Sequence, residues 1–474
     1  MAADAVTRKT RAMSWTSRMT FAGAVAACTF AGVAHGAVTE RVSVSSSGTQ
    51  GTDISGRLSR PAVNADGRIV AFDSLAPNLV PDDGNRTVDI FVRDRDAGTT
   101  ERVSVNNRGK GANRDASYPV ISGDGRFVVF HSFASNLGAD DPAVFDVFIR
   151  DRATGKTKSI SIASDGTPGN GHSLFPQITP DGRFVSFLSE STNLDPRKTS
   201  FLRDVFVRDR KLKTTEVVDL ADDDSVANQN ATDADISGDG NLVAFGSFAS
   251  NLVPNDLNDQ PDVFVRNRPA GTTERVSVSS DELESNGPSY YASISADGRF
   301  VAFYSEATNL VPMDLNGVGD IFVRDLTAGT TERVSVSSHE EEADGQSNGP
   351  GIRGGLRFGP DISSDGRYVT FDSIATNLVP GDTNTCPPFY EDPPGVCPDV
   401  FVRDRALGTT RRVSLATDGT QGDRASTDPA ISLDGLTIAF FSSATNLVAG
   451  DTNTCPPNFT QPGSCPDIFV RSRR

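Results

Sequence analysis

The hydrophobic residues of this chain fall in short runs of four or five, rich in Val, Ile and Phe, which Gly, Asn, Asp and Pro residues separate. Such runs predict β-strands, because branched and aromatic side chains favour strands and the intervening residues favour turns. Asp-Gly pairs, a strong hairpin signal, set the register of a repeat. They begin at positions 66, 124, 181, 239, 297, 365 and 434, which indicates seven copies. No window has a helical period long enough to compete.

Each copy predicts four strands, called A to D here. Strand A is P-x-I-S and strand B is R-F-V-A-F, joined by the Asp-Gly turn; strand C is D-I-F-V-R and strand D is T-E-R-V-S-V, joined by a turn containing Gly. Strands B and C are apolar on both faces, as in the FVVF of residues 127–130, so each sheet must be covered on both sides. Four-stranded sheets repeated around a channel are the blades of a β-propeller.

The two ends of the repeat array predict how the ring closes. Residues 39–44 read TERVSV, a strand D without its blade, while the last copy, DIFVRSRR at 467–474, stops before strand D. A ring must pair its last sheet, or an open edge remains. We therefore predict an all-β, seven-bladed β-propeller of four-stranded antiparallel blades over 37–474, closed by strand 39–44 pairing with the C-terminal blade. An open superhelix of blades is the alternative, and the matched surplus and deficit argue against it.

The repeat S-x-D-G-R-x-V-A-F followed by D-[IV]-[FY]-V-R-D resembles the WD-like propeller repeats of TolB-type proteins, which are bacterial and mostly exported. The resemblance covers nearly all of 39–474 and implies the propeller fold, but it implies little about function. TolB carries a small α/β domain before its propeller, and propeller-bearing peptidases append a hydrolase domain. We expect neither domain in this chain.

The N-terminus predicts export. A basic stretch precedes MTFAGAVAACTFAGVA, and Ala34-His35-Gly36 offers small residues for cleavage, so 1–36 is interpreted as a signal peptide. Val25-Ala26-Ala27-Cys28 resembles a lipoprotein box, which leaves a lipid anchor at Cys28 as the alternative. The expected location is periplasmic or secreted, and no later stretch has the length and hydrophobicity of a membrane span.

The charge balance excludes some partners and the cysteines indicate crosslinks. The net charge is −17, residues 1–36 contribute +3, and the remainder therefore carries −20. Such an acidic body disfavours binding to nucleic acid and anionic lipid, both of which need clusters of Lys and Arg. Two close cysteine pairs in Pro-rich loops of an exported chain predict the disulfides Cys386–Cys397 and Cys455–Cys465. Their spacing does not fit zinc.

The insertions predict which face of the ring binds. Both cysteine loops and the long segment 337–359 fall in B–C or D–A connections, which lie on one face of a propeller, and binding residues concentrate in variable loops on rigid scaffolds. Six residues before each Asp-Gly aspartate, the chain enters the innermost strand at the channel mouth. The seven residues at this position are Arg60, Tyr118, Phe175, Asp233, Tyr291, Gly359 and Asp428. Aromatic and charged residues that vary at one geometric position favour a recognition surface; the alternative is that they plug the channel.

The B–C loops contain a second pattern, which suggests calcium. Three oxygen-bearing side chains recur with the same spacing in three loops: Asp83, Asn85 and Asp89; Asp256, Asn258 and Asp262; Asp314, Asn316 and Asp320. Calcium prefers six to eight hard oxygen ligands, and backbone carbonyls and water would complete the set. The loops lack the Gly and Glu of an EF-hand, and Asx-turns explain the same residues without an ion.

The sequence favours a binder over an enzyme. His131, His172 and His339 lie in three different copies at three different repeat positions, and no nucleophile elbow, P-loop or histidine metal set stands out. We expect an exported, non-catalytic and monomeric binding propeller that engages a protein or polysaccharide of the cell envelope or exterior on the B–C/D–A face. A carbohydrate or ester enzyme, lyase or hydrolase, using carboxylates at the channel mouth is the alternative, and a spacer in the envelope is a third.

Overall fold

The structure is a computed structural model that describes residues 37–56, 58–138, 144–348, 358–386, 397–453 and 465–473. The predicted signal peptide at 1–36 and its alternative at Cys28 lie outside these residues. The described residues form twenty-eight β-strands in seven four-stranded antiparallel sheets. No helical segment among them has the length and hydrophobicity to cross a membrane.

The strands follow the predicted order A to D, with the hairpin turns where the Asp-Gly and Gly residues stand. The A strands are β2 Ala62–Val63, β6 Ala116–Ile121, β10 Ser173–Ile178, β14 Ala231–Ile236, β18 Ser289–Ile294, β22 Asp361–Ile362 and β26 Ser426–Ile431. The B strands are β3 Ile69–Ser74, β7 Phe127–Ser132, β11 Phe184–Ser189, β15 Leu242–Ser247, β19 Phe300–Ser305, β23 Tyr368–Ser373 and β27 Thr437–Ser442.

The C and D strands form the outer half of each blade. The C strands are β4 Asp89–Asp94, β8 Asp146–Asp151, β12 Asp204–Asp209, β16 Asp262–Asn267, β20 Asp320–Asp325, β24 Asp399–Asp404 and β28 Asp467–Ser472. The D strands are β5 Thr99–Arg102, β9 Lys156–Ser159, β13 Thr214–Val217, β17 Thr272–Arg275, β21 Thr330–Arg333, β25 Thr409–Arg412 and, from the other end of the chain, β1 Val38–Arg41.

The predicted closure is confirmed, because β1 is the fourth strand of blade 7. It pairs antiparallel with β28, with Thr39 opposite Arg471 and Glu40 opposite Val470. The regular strand is shorter than the predicted 39–44 and ends at Arg41, like the other four-residue D strands. One further backbone hydrogen bond, 2.9 Å from the Val42 N–H to the Ile468 carbonyl, extends the pairing.

The hydrophobic core is divided among the junctions between blades. Seven clusters of buried side chains are present, each shared by two neighbouring blades. In the cluster between blades 7 and 1, Val42 packs with Phe72 and Ile468. In every blade the Phe of strand B pairs with the Phe of strand C, as Phe303 does with Phe322 at 5.8 Å between ring centroids. Because B and C strands bury both faces, a single blade would expose too much apolar surface to be stable alone.

The first predicted disulfide is present. Cys386 and Cys397 are bonded, with 5.0 Å between their Cα atoms, and they close the loop between β23 and β24. Cys465 is also disulfide-bonded; its predicted partner, Cys455, lies outside the described residues.

Candidate functional site

The innermost strands are irregular at the position that the sequence singles out. In blades 2, 3, 5 and 7 a break in the A–B pairing flanks this residue. The residue itself adopts a left-handed backbone conformation at Tyr118 (φ +57°), Phe175 (+51°), Tyr291 (+59°) and Asp428 (+55°). That conformation costs a non-glycine residue about 1–2 kcal/mol, so the surrounding structure must hold it in place. The bulge turns the side chains of Tyr118, Phe175 and Tyr291 from the sheet towards the channel mouth.

A cavity of about 290 Å³ lies at the channel mouth. Six of the seven predicted positions line it: Arg60, Tyr118, Phe175, Asp233, Tyr291 and Gly359. The seventh, Asp428, is not among the lining residues and is only 7% exposed. Six of the seven counted positions therefore line one cavity, while the residue of blade 7 is buried; ligand binding at these positions stays a prediction.

Aromatic rings from several blades form the wall of this cavity. The ring of Tyr118 lies 4.6 Å from Phe175, edge to face, and 5.3 Å from Phe358. On the opposite side, Tyr290 and Tyr291 lie 5.8 Å apart. Each of these rings is half-buried, so it is packed on one side and open to the cavity on the other. Such half-packed rings supply large contact area at little cost in side-chain entropy.

Gly359 has a steric reason to be glycine. A Cβ atom at this position would stand 2.2 Å from the Cβ of Tyr291 and 2.5 Å from its carbonyl oxygen. The backbone and Cβ of Tyr291 in blade 5 therefore occupy the space that a side chain of blade 6 would need. The blade 6 member of the predicted ring therefore borders the cavity without a side chain of its own.

The carboxylate at the mouth is already engaged. Asp233 accepts hydrogen bonds from the backbone N–H of Tyr291 (3.0 Å) and of Ala292 (2.8 Å), and Thr232 donates to it at 2.6 Å. The inner edge of strand A has no neighbouring strand, so its N–H groups need other acceptors. Burial raises the pKa of Asp233, and these hydrogen bonds oppose the shift. Asp233 therefore links blade 4 to blade 5 through hydrogen bonds.

Two further carboxylates, which the sequence did not single out, meet deeper in the channel. Asp235 accepts from Ile294 N–H at 3.0 Å and Asp361 accepts from Ile431 N–H at 2.8 Å, so each satisfies the edge of the next blade. The Ser293 hydroxyl lies 3.3 Å from an oxygen of each. Burial raises the pKa of Asp235 to about 6, and the nearby charge of Asp361 adds to the shift.

The structure brings together two histidines that the sequence had suggested were far apart. His131 and His172 both contact the ring of Phe145, at 4.9 and 6.0 Å between centroids, beside the aromatic wall. His131 Nδ1 accepts from Phe175 N–H at 3.3 Å, and its Nε2 lies 2.8 Å from Ser117 Oγ. Burial lowers the pKa of His131 to about 3, so the imidazole is neutral. It supports the strained backbone of Phe175 as Asp233 supports Tyr291.

Two arginines, Arg60 and Arg203, line the cavity. Arg60 forms no ion pair or hydrogen bond with the described residues, and its charge acts on Asp235 below it. The Nε of Arg203 is buried without a hydrogen-bond partner, and its nearest carboxylate contact, Glu190, is 3.6 Å away. Guanidinium groups suit planar oxygen ligands such as carboxylates. The site thus combines aromatic walls with two cationic donors.

The asparagines of the predicted calcium loops act as turn residues. The Oδ1 atoms of Asn85, Asn258 and Asn316 accept from the N–H two residues further on, at 3.1, 2.8 and 3.0 Å. Their Nδ2 atoms donate to Asp89, Asp262 and Asp320 at 2.7, 3.2 and 2.8 Å. These amides therefore form the Asx-turns of the alternative interpretation, and they present nitrogen, not oxygen, to the carboxylates.

An arginine of strand D lies among the carboxylates of each loop. Arg102 contacts Asp83 at 2.8 Å and Asp89 at 3.2 Å. In blades 4 and 5 a glutamate joins: Asp256, Asp262 and Glu284 gather with oxygens within 4.8 Å of one another, as do Asp314, Asp320 and Glu342. Burial, with the neighbouring acids, raises the pKa of Asp256 and of Asp314 to about 6. The arginine balances part of this charge, and calcium stays a prediction.

Several residues that line the cavity lie outside the position counted from the Asp-Gly pairs and were not predicted from the sequence. Tyr290 stands next to the counted position, Gln177 two residues after it, and Phe358 in the long insertion, where the repeat gives no register. Arg203 was detectable: it precedes strand C, where the other copies have Val, Phe, Pro or Gly. A charged residue at a position that is apolar or small in the other copies could have identified Arg203 from the sequence.

A larger cleft, about 850 Å³, lies at the edge of blades 6 and 7 and contains none of the predicted channel-mouth residues. Ala37, the first described residue, borders it. Its shape therefore depends on a chain end whose preceding residues are not described, and we do not take it as the candidate site.

Comparison with known proteins identifies the fold. No protein-family model matches the chain, and no curated protein sequence matches it. Among solved structures, an oligogalacturonate lyase in complex with manganese is similar with a TM-score of 0.52 and 13% identity, over 92% of this chain and 93% of that one. Identity this low shows a shared β-propeller fold and no more.

Two other solved structures are similar at lower scores. A putative TolB from Agrobacterium tumefaciens has a TM-score of 0.38 and 14% identity, over 59% of this chain and 80% of that one. Acylaminoacyl peptidase from Pyrococcus horikoshii has a TM-score of 0.49 and 12% identity, over 89% of this chain and 52% of that one. Both carry propellers, and neither similarity adds an argument about the site.

Proposed function

We propose that this protein is an exported, non-catalytic binding propeller that holds one carboxylated sugar unit of an envelope or extracellular polysaccharide in the cavity at its channel mouth. The observation that carries the proposal is the convergence of six equivalent positions on one cavity, where they supply aromatic rings and an arginine. A protein ligand, the other partner expected from the sequence, is an outcome of the test below.

The shape and lining of the cavity support a sugar. A volume of about 290 Å³ accommodates a sugar ring. The apolar faces of a sugar ring pack on aromatic rings, and Tyr118, Phe175 and Tyr291 present such rings from three blades. Gln177 at the cavity wall adds a group that both donates and accepts hydrogen bonds with hydroxyls.

The charges of the cavity support a carboxylate on that sugar. Arg60 and Arg203 both line the mouth, and the one acid among its described lining residues, Asp233, has its oxygens engaged. The acidic remainder of the ring acts over longer distances, and salt screens it beyond about 10 Å at 0.1 M ionic strength. The local guanidinium groups therefore decide which charge is accepted.

The same contacts argue against catalysis by carboxylates at the mouth. General acid and base groups must be free to exchange protons with the substrate. Asp233, Asp235 and Asp361 hold backbone N–H groups of the next blade, and moving any of them would unpair that edge. The enzyme alternative would need other groups.

The experiment uses the exported ring and two probes, an oligogalacturonate and the matching neutral galactose oligomer, in isothermal titration calorimetry. We expect binding of the first only, and a loss of about tenfold or more in affinity for Arg60→Met and for Arg203→Met, because one charged hydrogen bond contributes about 1.5–3 kcal/mol. Met313→Ala, which alters an exposed residue of a B–C loop outside the cavity, serves as the matched control.

Each other outcome overturns part of the proposal. Equal binding of both oligomers would show that the site does not require a carboxylate. Binding of neither oligomer would contradict a saccharide ligand and favour a protein ligand. New reducing ends in the oligogalacturonate after incubation would show catalysis and overturn the non-catalytic assignment.

A further inference from the structure

One position of the repeat changes its chemistry in blade 3 alone. In the other six blades the serine of strand D's R-V-S-V, or its equivalent, donates to the buried aspartate that begins strand C, at 2.5–2.7 Å. These serines are Ser43, Ser104, Ser161, Ser277, Ser335 and Ser414. In blade 3 the residue is Asp219, so two carboxyl groups, Asp204 and Asp219, meet where other blades have one.

The cation of this cluster is also different. Blades 1, 4, 5, 6 and 7 place a strand D arginine beside the carboxylates, whereas Val217 stands there in blade 3. Lys198, from the B–C loop, supplies the positive charge beside the carboxylates of blade 3 instead. Its Nζ donates to Asp204 Oδ2 and to the Leu202 carbonyl in very short contacts. Arginine cannot act as a nucleophile at ordinary pH, but the amine of a lysine can.

The three groups are shielded from water. The side chains of Lys198 and Asp204 are completely buried, and Asp219 is 0% exposed. Neither oxygen of Asp219, nor Oδ1 of Asp204, accepts a well-formed hydrogen bond. Burial and the charge of Asp204 raise the pKa of Asp219 well above its usual range, which favours its protonated form at neutral pH. Burial also raises the pKa of Asp204.

We propose that Lys198 and Asp204 join in an intramolecular amide (isopeptide) bond, and that Asp219 is the proton-transfer group for its formation. A buried amine in direct contact with a buried carboxyl, beside a second buried carboxyl, is the arrangement that this condensation needs. Exclusion of water favours it, because water is the product.

The reaction balances without a co-reactant. A proton passes from the Lys198 ammonium to the Asp204 carboxylate, leaving a neutral amine beside two carboxylic acids. The Nζ lone pair attacks Cγ of Asp204, while the Asp219 acid donates a hydrogen bond to the oxygen on which negative charge develops. Asp219 then relays a proton from Nζ to the departing hydroxyl. The N–C bond forms, the C–O bond breaks, one water leaves, and Asp219 ends as it began.

The first test is the intact mass of the exported protein. We expect a mass lower by one water than the sequence and its disulfides require. Trypsin should yield a branched peptide that joins KTSFLR (198–203) to DVFVR (204–208), with the usual cleavage after Lys198 missing. The full mass, together with free TSFLR and DVFVR peptides, would overturn the proposal and leave a buried ion pair.

Asp219→Ser is the decisive variant, because six blades already fold with serine at this position. We expect it to remain folded by circular dichroism and to show the full mass, since the proton-transfer group is gone. Lys198→Arg, which keeps the charge, should also show the full mass. A condensed Asp219→Ser protein would overturn the role of Asp219, and a branch from Lys198 to Asp219 would overturn the choice of Asp204.

Discussion

Two sets of seven equivalent positions behave in opposite ways in this ring. The residue that begins strand C is aspartate in every blade, it is at most 5% exposed, and it anchors the loop before it and the strand beside it. The residue that enters strand A is different in nearly every blade: Arg, Tyr, Phe, Asp, Tyr, Gly and Asp. Six of these seven border one cavity.

The difference separates architecture from recognition. A contact that every blade must make, such as the serine hydroxyl on the first aspartate of strand C, repeats its residues seven times or nearly so. A site on the axis is shared by several blades, so the blades need not contribute the same group to it. Blade 3 shows a third case, in which a position of the repeated set changes and gains chemistry of its own.

The largest loss of stability should come from removing the N-terminal segment that supplies strand D of blade 7. Deleting 37–44 removes Arg41 and Ser43, which contact Asp467, and it exposes the edge of β28. We expect a loss of roughly 5 kcal/mol or more, most of the net stability of a typical domain, and aggregation through the open edge. Thermal unfolding and size-exclusion chromatography measure both.

Ser43→Ala is the control for this deletion, because it removes one hydrogen bond and keeps the strand. It should cost only about 1–3 kcal/mol, because it leaves a buried acceptor with one partner fewer. Unchanged melting and solubility after the deletion would contradict the role of β1 in closing the ring.

A smaller loss should follow when one repeated aspartate is truncated inside an intact ring. Asp320 accepts from Ser335 at 2.5 Å and from Asn316 at 2.8 Å, and Arg333 lies 3.4 Å away. Asp320→Ala leaves the arginine beside Asp314 and Glu342 with one carboxylate fewer, and unpairs two donors. We expect a loss of about 3–5 kcal/mol in denaturant unfolding.

The comparison for this variant is Asp281→Ala, which changes an exposed aspartate of the D–A connection that precedes this blade. We expect it to stay within about 0.5 kcal/mol of the parent. Similar losses in both variants would mean that the repeated aspartate is not a structural anchor.

The smallest difference in stability concerns the strained backbone at the channel-mouth positions, whose residues vary among the blades. Tyr118 has φ +57°, where alanine pays the penalty of a Cβ atom and glycine does not. Both Tyr118→Ala and Tyr118→Gly lose the ring contacts with Phe175 and His131. We therefore expect the glycine variant to be the more stable of the two by about 1 kcal/mol, against the usual order.

The alanine and glycine substitutions should have the opposite order of stability at a position with an extended backbone. At Val128, in strand β7, alanine should be the more stable substitute, because glycine costs more backbone entropy in a strand. An alanine advantage at Tyr118 as well would show that the left-handed conformation is not maintained in solution.

Much of the fold follows from local patterns that repeat. The apolar runs and Asp-Gly pairs predict the strands, and the orphan TERVSV at 39–44 predicts the closure that β1 and β28 make. The local cysteine pair predicts the bond between Cys386 and Cys397. Counting six residues back from each Asp-Gly identifies positions that, except for Asp428, line one cavity, and ligand binding there stays a prediction.

The sequence alone determined the number of blades, their strand order and the way the ring closes, because these depend on alternation and repetition along the chain. Only the tertiary structure decided which polar groups are free. Asp233 is engaged by Tyr291 and Ala292, the predicted asparagine ligands turn nitrogen to their aspartates, and Lys198 is enclosed with Asp204 and Asp219. For Asp233 the physical reason is that the hydrogen-bond partners come from the next blade, about one repeat away in sequence. For Asn258 and Lys198 the partners are four and six residues away, but the spacing does not say which atom of an amide faces a carboxylate or whether water is excluded.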